Sequence, residues 1–219
     1  MKFTLFIVAL IMSLSGSSQR AMFHANNYTA AAGASYLVDF QFSDNLTNAG
    51  TNGITGAARA YNDYSSAVTP TYSSGALSLN NTYGVVLSSV ITFASGTIEF
   101  AMTAATAGRD LQILTGPSNT AGSGGTSNKI SFDYEVGYNH FTFRLSDASL
   151  ADWNLGSGFS RDAYHTYKIT YTGSVAELFV DGVSQGTISG LSSAIDIGVI
   201  GMGHPSLNFS GTLDYFKIY

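Results

Sequence analysis

Leu178-Phe179-Val180-Asp181-Gly182-Val183 is the stretch that decides the fold. An Asp-Gly pair between apolar runs predicts a two-residue hairpin. The type I′ turn that matches strand twist needs positive φ at both central positions, which Asp and Gly tolerate. Working outward, the chain keeps the same grammar. Short apolar or alternating segments are bounded by Gly, Asn, Asp or Ser, and nowhere does a helical pattern persist over three turns. In His140–Leu145, Phe141, Phe143 and Leu145 fall on one face while His140, Thr142 and Arg144 fall on the other, so one side is buried and the other wet. Twelve strands are predicted: Tyr36–Phe42, Ala76–Leu79, Val85–Leu87, Gly96–Met102, Asp110–Leu114, Ile130–Glu135, His140–Leu145, Tyr164–Tyr171, Ala176–Val180, Val183–Ser189, Ile195–Ile200 and Thr212–Tyr219. That count suits an all-β, two-sheet antiparallel β-sandwich. Ala121–Gly125, with its Gly-Ser-Gly-Gly, reads as a mobile loop.

Composition narrows the function classes. The chain has 219 residues, 45% of them apolar and only 11% charged. One sandwich domain can build its core without staples. Nine Lys and Arg in a chain of net charge −5 leave no basic patch for a phosphate backbone, so nucleic acid is excluded as a partner. There is no cysteine, which removes disulfides, thiolate metal sites and cysteine nucleophiles. Met1–Leu14 carries Lys2 and then the apolar run Phe3–Leu14, followed by Ser15–Ser18. This reads as a signal peptide over residues 1–18, too short for a membrane span, and it implies a secreted or cell-surface protein. Residues 19–36 read as a linker or N-terminal arm and residues 37–219 as the domain.

Three segments then resemble one family in order. Leu37–Leu46 with Asn48-Ala49-Gly50 is similar to an opening strand and Asn/Gly loop, and Tyr164–Gly173 running into Leu178–Gly182 to an "aromatic-His, alternating strand, Asp-Gly" hairpin. Phe209–Tyr219 is similar to a closing strand. Together they resemble the laminin-G-like jelly rolls of the concanavalin A-like lectin and glucanase superfamily. The resemblance implies a jelly roll and, because such sandwiches carry many activities, little about function. It also implies a structural calcium ion between first and last strands, with Asp214 and either Asp39 or the carbonyl beside it as its ligands. The animal laminin-G disulfide is absent, since the chain has no cysteine.

Candidate chemistry follows from residue types. Glycosidases on this fold use a Glu-x-Asp-x-x-Glu strand, which does not occur. Asp133 and Glu135 share a face at i, i+2 and are the nearest substitute. Tyr138, His140 and Arg144 imitate the base and acid-neutralising groups of a polysaccharide lyase. Sugar binding needs an aromatic face and polar side chains. Trp153, the single tryptophan, lies between Asp152 and Asn154 in the polar segment Asp147–Ser160, so it either stacks on a pyranose or folds back over the core. The ligand-contact set is therefore Trp153, Asp152, Asn154, His140, Arg144 and Tyr138. The leading expectation is a non-catalytic module for a glycan or cell-surface polysaccharide, with self-association into a filament, coat or surface layer as the alternative and a lyase or hydrolase as the second. No His pair has zinc spacing, and His24, His165 and His204 stand apart. Four Asn-x-Ser/Thr sequons begin at Asn27, Asn45, Asn80 and Asn208, close to the number composition alone gives.

Overall fold

The computed structural model describes residues 36–60, 65–80, 82–104, 111–116, 127–133, 139–201 and 210–219, with backbone only at Leu111, Gln112, Thr115 and Asp133. The signal-peptide and arm readings up to residue 35, the Ala121–Gly125 loop, Glu135, Tyr138, Phe209, His24, His204, Asn27 and Asn208 lie outside those residues.

The strands are β1 (Val38–Gln41), β2 (Gly56–Ala60), β3 (Thr71–Ser73), β4 (Ala76–Asn80), β5 (Tyr83–Phe93), β6 (Gly96–Ala104), β7 (Leu111–Thr115), β8 (Lys129–Asp133), β9 (His140–Arg144), β10 (Leu150–Asn154), β11 (His165–Tyr171), β12 (Val175–Val180), β13 (Val183–Ser189), β14 (Ile195–Ile200) and β15 (Ser210–Ile218). They form two antiparallel sheets. One has eight strands in the order β13-β12-β11-β6-β15-β4-β3, with β1 also pairing β15. The other has seven in the order β10-β9-β8-β7-β14-β5-β2.

Alternation in each strand puts one continuous apolar row into the core from either sheet. Across the seven-stranded sheet the register aligns Ala58, Val85, Ile200, Leu114, Ile130, Phe143 and Ala151. Across the other it aligns Leu178, Ile169, Ile98, Ile218 and Val38. All twelve are buried. One aromatic pair then joins the sheets, Tyr167 of β11 stacking on Phe141 of β9 at 5.3 Å, and each ring has a neighbour within its own sheet, Tyr167 with Phe100 of β6 at 5.3 Å and Phe141 with Trp153 of β10 at 6.4 Å. Each such pair is worth about 1 kcal/mol beyond its buried area.

All twelve predicted strands are present, and the hairpin is as expected. Asp181 and Gly182 have φ of 50° and 78°, and Val180 pairs with Val183. The Asp181 carboxylate reaches back to the neighbouring strand, accepting from the Thr166 amide at 2.9 Å and bonding His165 Nδ1 at 2.7 Å. The turn is thus tied to β11. In the Asn/Gly loop, the Asn48 side chain accepts from the Asp39 and Gly50 amides and donates to Asn52 and the Ile54 carbonyl. Any Cβ at Gly50 would sit 2.5 Å from the Leu37 carbonyl oxygen, so only glycine allows that approach.

Three strands escape the sequence reading. β2 is Gly-Ala-Ala-Arg-Ala, poor in β-branched residues, and β3 has only three residues. β10, inside what reads as a polar loop, alternates buried Ala151 and Trp153 with outward Asp152 and Asn154. Its polar residues are those of a wet face, and the loop assignment is corrected to a strand.

Candidate functional site

The outward positions of the seven-stranded sheet line up as strictly as the inward ones. On β8, β9 and β10 they form three rows: Lys129, Arg144 and Leu150; then Ser131, Thr142 and Asp152; then Asp133, His140 and Asn154. Strand alternation fixes this grouping, because Phe132, Phe141, Phe143, Ala151 and Trp153 take the inward positions.

The floor of the array is short and satisfied. Ser131 and Thr142 are both buried and bond each other through their hydroxyls at 2.8 Å. Lys129 is also buried, and both it and Arg144 are engaged by other groups. Above the floor stands the pair His140 and Asp152, with side chains 19% and 26% exposed. His140 Nδ1 meets the two Asp152 oxygens at 3.0 and 2.8 Å. With Nδ1–H donating to the carboxylate, ring orientation and tautomer are fixed and Nε2 is the nitrogen left to face a ligand. Asn154 is exposed, and its Oδ1 accepts from the Gly156 amide at 2.8 Å.

Of the residues singled out from sequence, the structure brings His140, Asp152, Asn154 and Arg144 onto one face. Trp153 points the other way. It is 4% exposed, packs on Phe141, and donates its indole N–H to the Gly186 carbonyl of β13 at 3.0 Å. Of the two readings of Trp153, the structure shows the one in which it covers the core. Its ring joins the outermost strands of the two sheets and offers no face to a sugar. Tyr138 and Glu135 lie outside the described residues, and Asp133 is placed only by its backbone opposite His140.

Asp39 and Asp214 belong to the other sheet. The register sets Asp39 opposite Lys217, while the Asp214 carbonyl accepts at 2.9 Å from the amide of Phe42, the residue just past β1. Three residues of strand span about 10 Å. The Asp39 carboxylate takes the Gln41 side-chain amide, and the buried Asp214 takes the Tyr164 hydroxyl at 2.8 Å. A calcium ion needs six or more oxygens at roughly 2.4 Å. No group of three His, Asp or Glu side chains able to hold a metal occurs among the described residues. The Asp39 and Asp214 carboxylates are thus held by different protein partners, Gln41 and Tyr164.

Around them lies a network that sequence reasoning missed. One row of the eight-stranded sheet carries Asp39, Lys217, Glu99, Lys168 and Phe179. Glu99 accepts one hydroxyl on each oxygen, from Tyr215 and Tyr219, each at 2.9 Å. The Lys217 ammonium sits over the Tyr215 ring at 4.6 Å and the Tyr36 ring at 5.1 Å, and Lys168 lies over Phe179 at 4.2 Å. Burial first, and then the Glu99 carboxylate, push the Tyr215 and Tyr219 hydroxyls well above the ordinary phenol range.

A cleft of about 430 Å³ at the far end of the seven-stranded sheet is lined by Thr55, Ala57, Arg59, Ser65, Val86, Leu87 and Ser88. No motif marks it: Arg59 is a lone cation in an alanine stretch.

No family profile matches the sequence, and no curated protein matches it. Solved structures do match in shape. Domain 4 of AbnA, an extracellular arabinanase from Geobacillus stearothermophilus in complex with arabinotriose, aligns with a TM-score of 0.63 at 14% identity, over 85% of this chain and 92% of that domain. A botulinum neurotoxin type C chain, from a study of its interaction with two ganglioside molecules, aligns with a TM-score of 0.52 at 16% identity, over 90% of this chain. The present chain spans 49% of that toxin chain. A structure from work on endo-acting O-glycanases of the human gut microbiota aligns with a TM-score of 0.51 at 14% identity, over 84% of this chain and 98% of that one. The fold is a concanavalin A-like jelly-roll sandwich, as the resemblance implied.

Proposed function

We propose that this chain is a secreted, non-catalytic carbohydrate-binding module of laminin-G-like kind, which meets its glycan on the outer face of the seven-stranded sheet at β9 and β10. The observation that carries the reading is the set His140, Asp152, Asn154 and Arg144. Ring nitrogen, carboxylate, amide and guanidinium stand on adjacent outward positions of two rigid strands, with Asp152 orienting His140. Sugar hydroxyls need such a mixture of donors and acceptors, held without loop entropy. Structural relatives whose names mention arabinotriose and gangliosides support the ligand class, and the export-like residues 1–18 support the location. The missing Glu-x-Asp-x-x-Glu strand supports binding over hydrolysis.

The test is retention on insoluble polysaccharides and a glycan array, for wild type and for Asp152→Ala and Asn154→Ala. The expected result is binding by wild type that weakens at least tenfold in either variant. A histidine oriented by a carboxylate is also half of a proton-abstracting site, so the same samples are assayed for new reducing ends and unsaturated uronates. Product formation, lost in His140→Ala, replaces the binding module with an enzyme; no retention on any glycan sinks the proposal.

A second reading has its own observation. β13 lies at the end of the eight-stranded sheet, carries no charged residue from Val183 to Ser189, and is exposed at all but one position, with Val183 at 65%. Sheet edges that avoid pairing usually carry charge or proline. Assembly through this edge predicts concentration-dependent oligomers in analytical ultracentrifugation; a Thr187→Lys variant should then remain monomeric.

A further inference from the structure

We propose that Asn45 and Asn80 are N-glycosylation sites, each the acceptor of an oligosaccharide delivered from a lipid pyrophosphate. This rests on the reading of the chain as secreted and adds a covalent modification to it.

Each asparagine opens a sequon, Asn45-Leu46-Thr47 and Asn80-Asn81-Thr82, with no proline at the middle position. Of the four sequons in the sequence, these are the two whose asparagines lie among the described residues. Their number follows from composition; what separates them is placement. Asn48, Asn52, Asn128 and Asn139 are half-buried, and none has Ser or Thr two positions on. Asn45, Asn80 and Asn154 are exposed, and the first two do. A bulky, water-soluble sugar requires such an exposed acceptor.

Hydrogen bonding agrees with exposure. At Asn45, Oδ1 accepts from the Thr47 amide at 2.8 Å, and Nδ2 makes one long contact to the Ser43 carbonyl at 3.3 Å. At Asn80, Oδ1 accepts from the Thr82 hydroxyl at 2.7 Å, and Nδ2 has no partner among the described residues. In both, the oxygen is held by the sequon's own threonine and the nitrogen has a hydrogen to give up. Asn48 is the contrast: its nitrogen donates to Asn52 and to the Ile54 carbonyl, so a sugar there would break the loop after β1.

In the transfer, Nδ2 bonds the anomeric carbon of the donor while that carbon's bond to the pyrophosphate oxygen breaks. The amide loses one proton to a base of the transferase, and the lipid pyrophosphate departs. The product keeps Oδ1 and one N–H, which is enough to retain the Thr47 and Ser43 contacts at Asn45. Asn45 follows β1, where Asp44 at φ 68° turns the chain, and Asn80 ends β4 opposite Ser210. Both extend from strands of the eight-stranded sheet, whereas His140 and Asp152 stand on the other.

The test expresses the full-length chain in a eukaryotic secretory host, once as it stands and once behind a borrowed leader. Secreted protein is treated with peptide N-glycosidase in heavy-oxygen water and mapped by mass spectrometry. The expected result is recovery of Asn45 and Asn80 as heavy-oxygen aspartate. Thr47→Ala and Thr82→Ala, which keep the asparagines, should each lose one oligosaccharide. Retention on any polysaccharide that holds the wild type should be the same before and after deglycosylation, and a loss caused by the sugar overturns the placement away from the His140 face. An Asn45 or Asn80 recovered unmodified behind the borrowed leader overturns the inference for that position and leaves the binding module standing. Modification found only behind the borrowed leader supports the two sites and overturns the secreted reading instead.

Discussion

The outer faces of the two sheets are built from the same alternating strands and differ in what their polar groups do. On the eight-stranded sheet the charges are consumed internally: both Glu99 oxygens hold tyrosine hydroxyls, and Lys217 lies over two rings. On the seven-stranded sheet the Ser131–Thr142 floor is satisfied, but His140, Asp152 and Asn154 stand around it partly exposed. A saturated network stabilises, whereas a half-exposed array on a stiff floor can exchange water for a ligand. Polarity alone does not separate the two; hydrogen-bond accounting does.

The comparison can be broken at several points. Trp153→Ala, which removes the ring joining β10 to β13, should cost about 3–5 kcal/mol in urea unfolding; lost glycan binding with intact stability would return Trp153 to the ligand face. Glu99→Ala strands the Tyr215 hydroxyl beneath Lys217 and should cost about 2–3 kcal/mol. His140→Ala and Asp152→Ala, on the other sheet, should each stay within about 1 kcal/mol, and an equal cost at Glu99 and Asp152 would erase the distinction.

Alkaline titration sharpens it further. Tyr215, Tyr219 and Tyr167 keep their protons in the folded state beyond the ordinary phenol value of about 10, chiefly through burial. The unfolded chain releases those protons first, so stability is full below about pH 10 and falls as pH rises above it. Absorbance at the phenolate band should show one class of tyrosines ionising near pH 10 and a second ionising only with unfolding. The smallest effect concerns calcium: with the Asp39 and Asp214 carboxylates each taken by a protein hydrogen bond, adding calcium or a chelator should leave the melting temperature unchanged within about 1 °C, and a larger rise with calcium would show an ion between the first and last strands.

Much of this was legible. Asp181-Gly182 announced its turn because few residues tolerate positive φ, and the His140–Leu145 alternation announced its two faces. The same logic would have found β10, where Ala151 and Trp153 alternate with Asp152 and Asn154, had the polar residues not resembled a loop. Arg59 was not legible, since a cation in an alanine run carries no periodic signal.

The sequence by itself determined the local grammar: all-β, alternating faces, the I′ hairpin, no disulfide and no glycosidase acid strand. These depend on residue type and near neighbours along the chain. Only the tertiary structure decided that Trp153 is core, that Asp39 and Asp214 have separate side-chain partners, and that Arg59 shares a sheet face with His140 and Asp152. Those facts depend on register between strands far apart in sequence, such as β5 with β14 and β1 with β15, and register is set by packing the whole core.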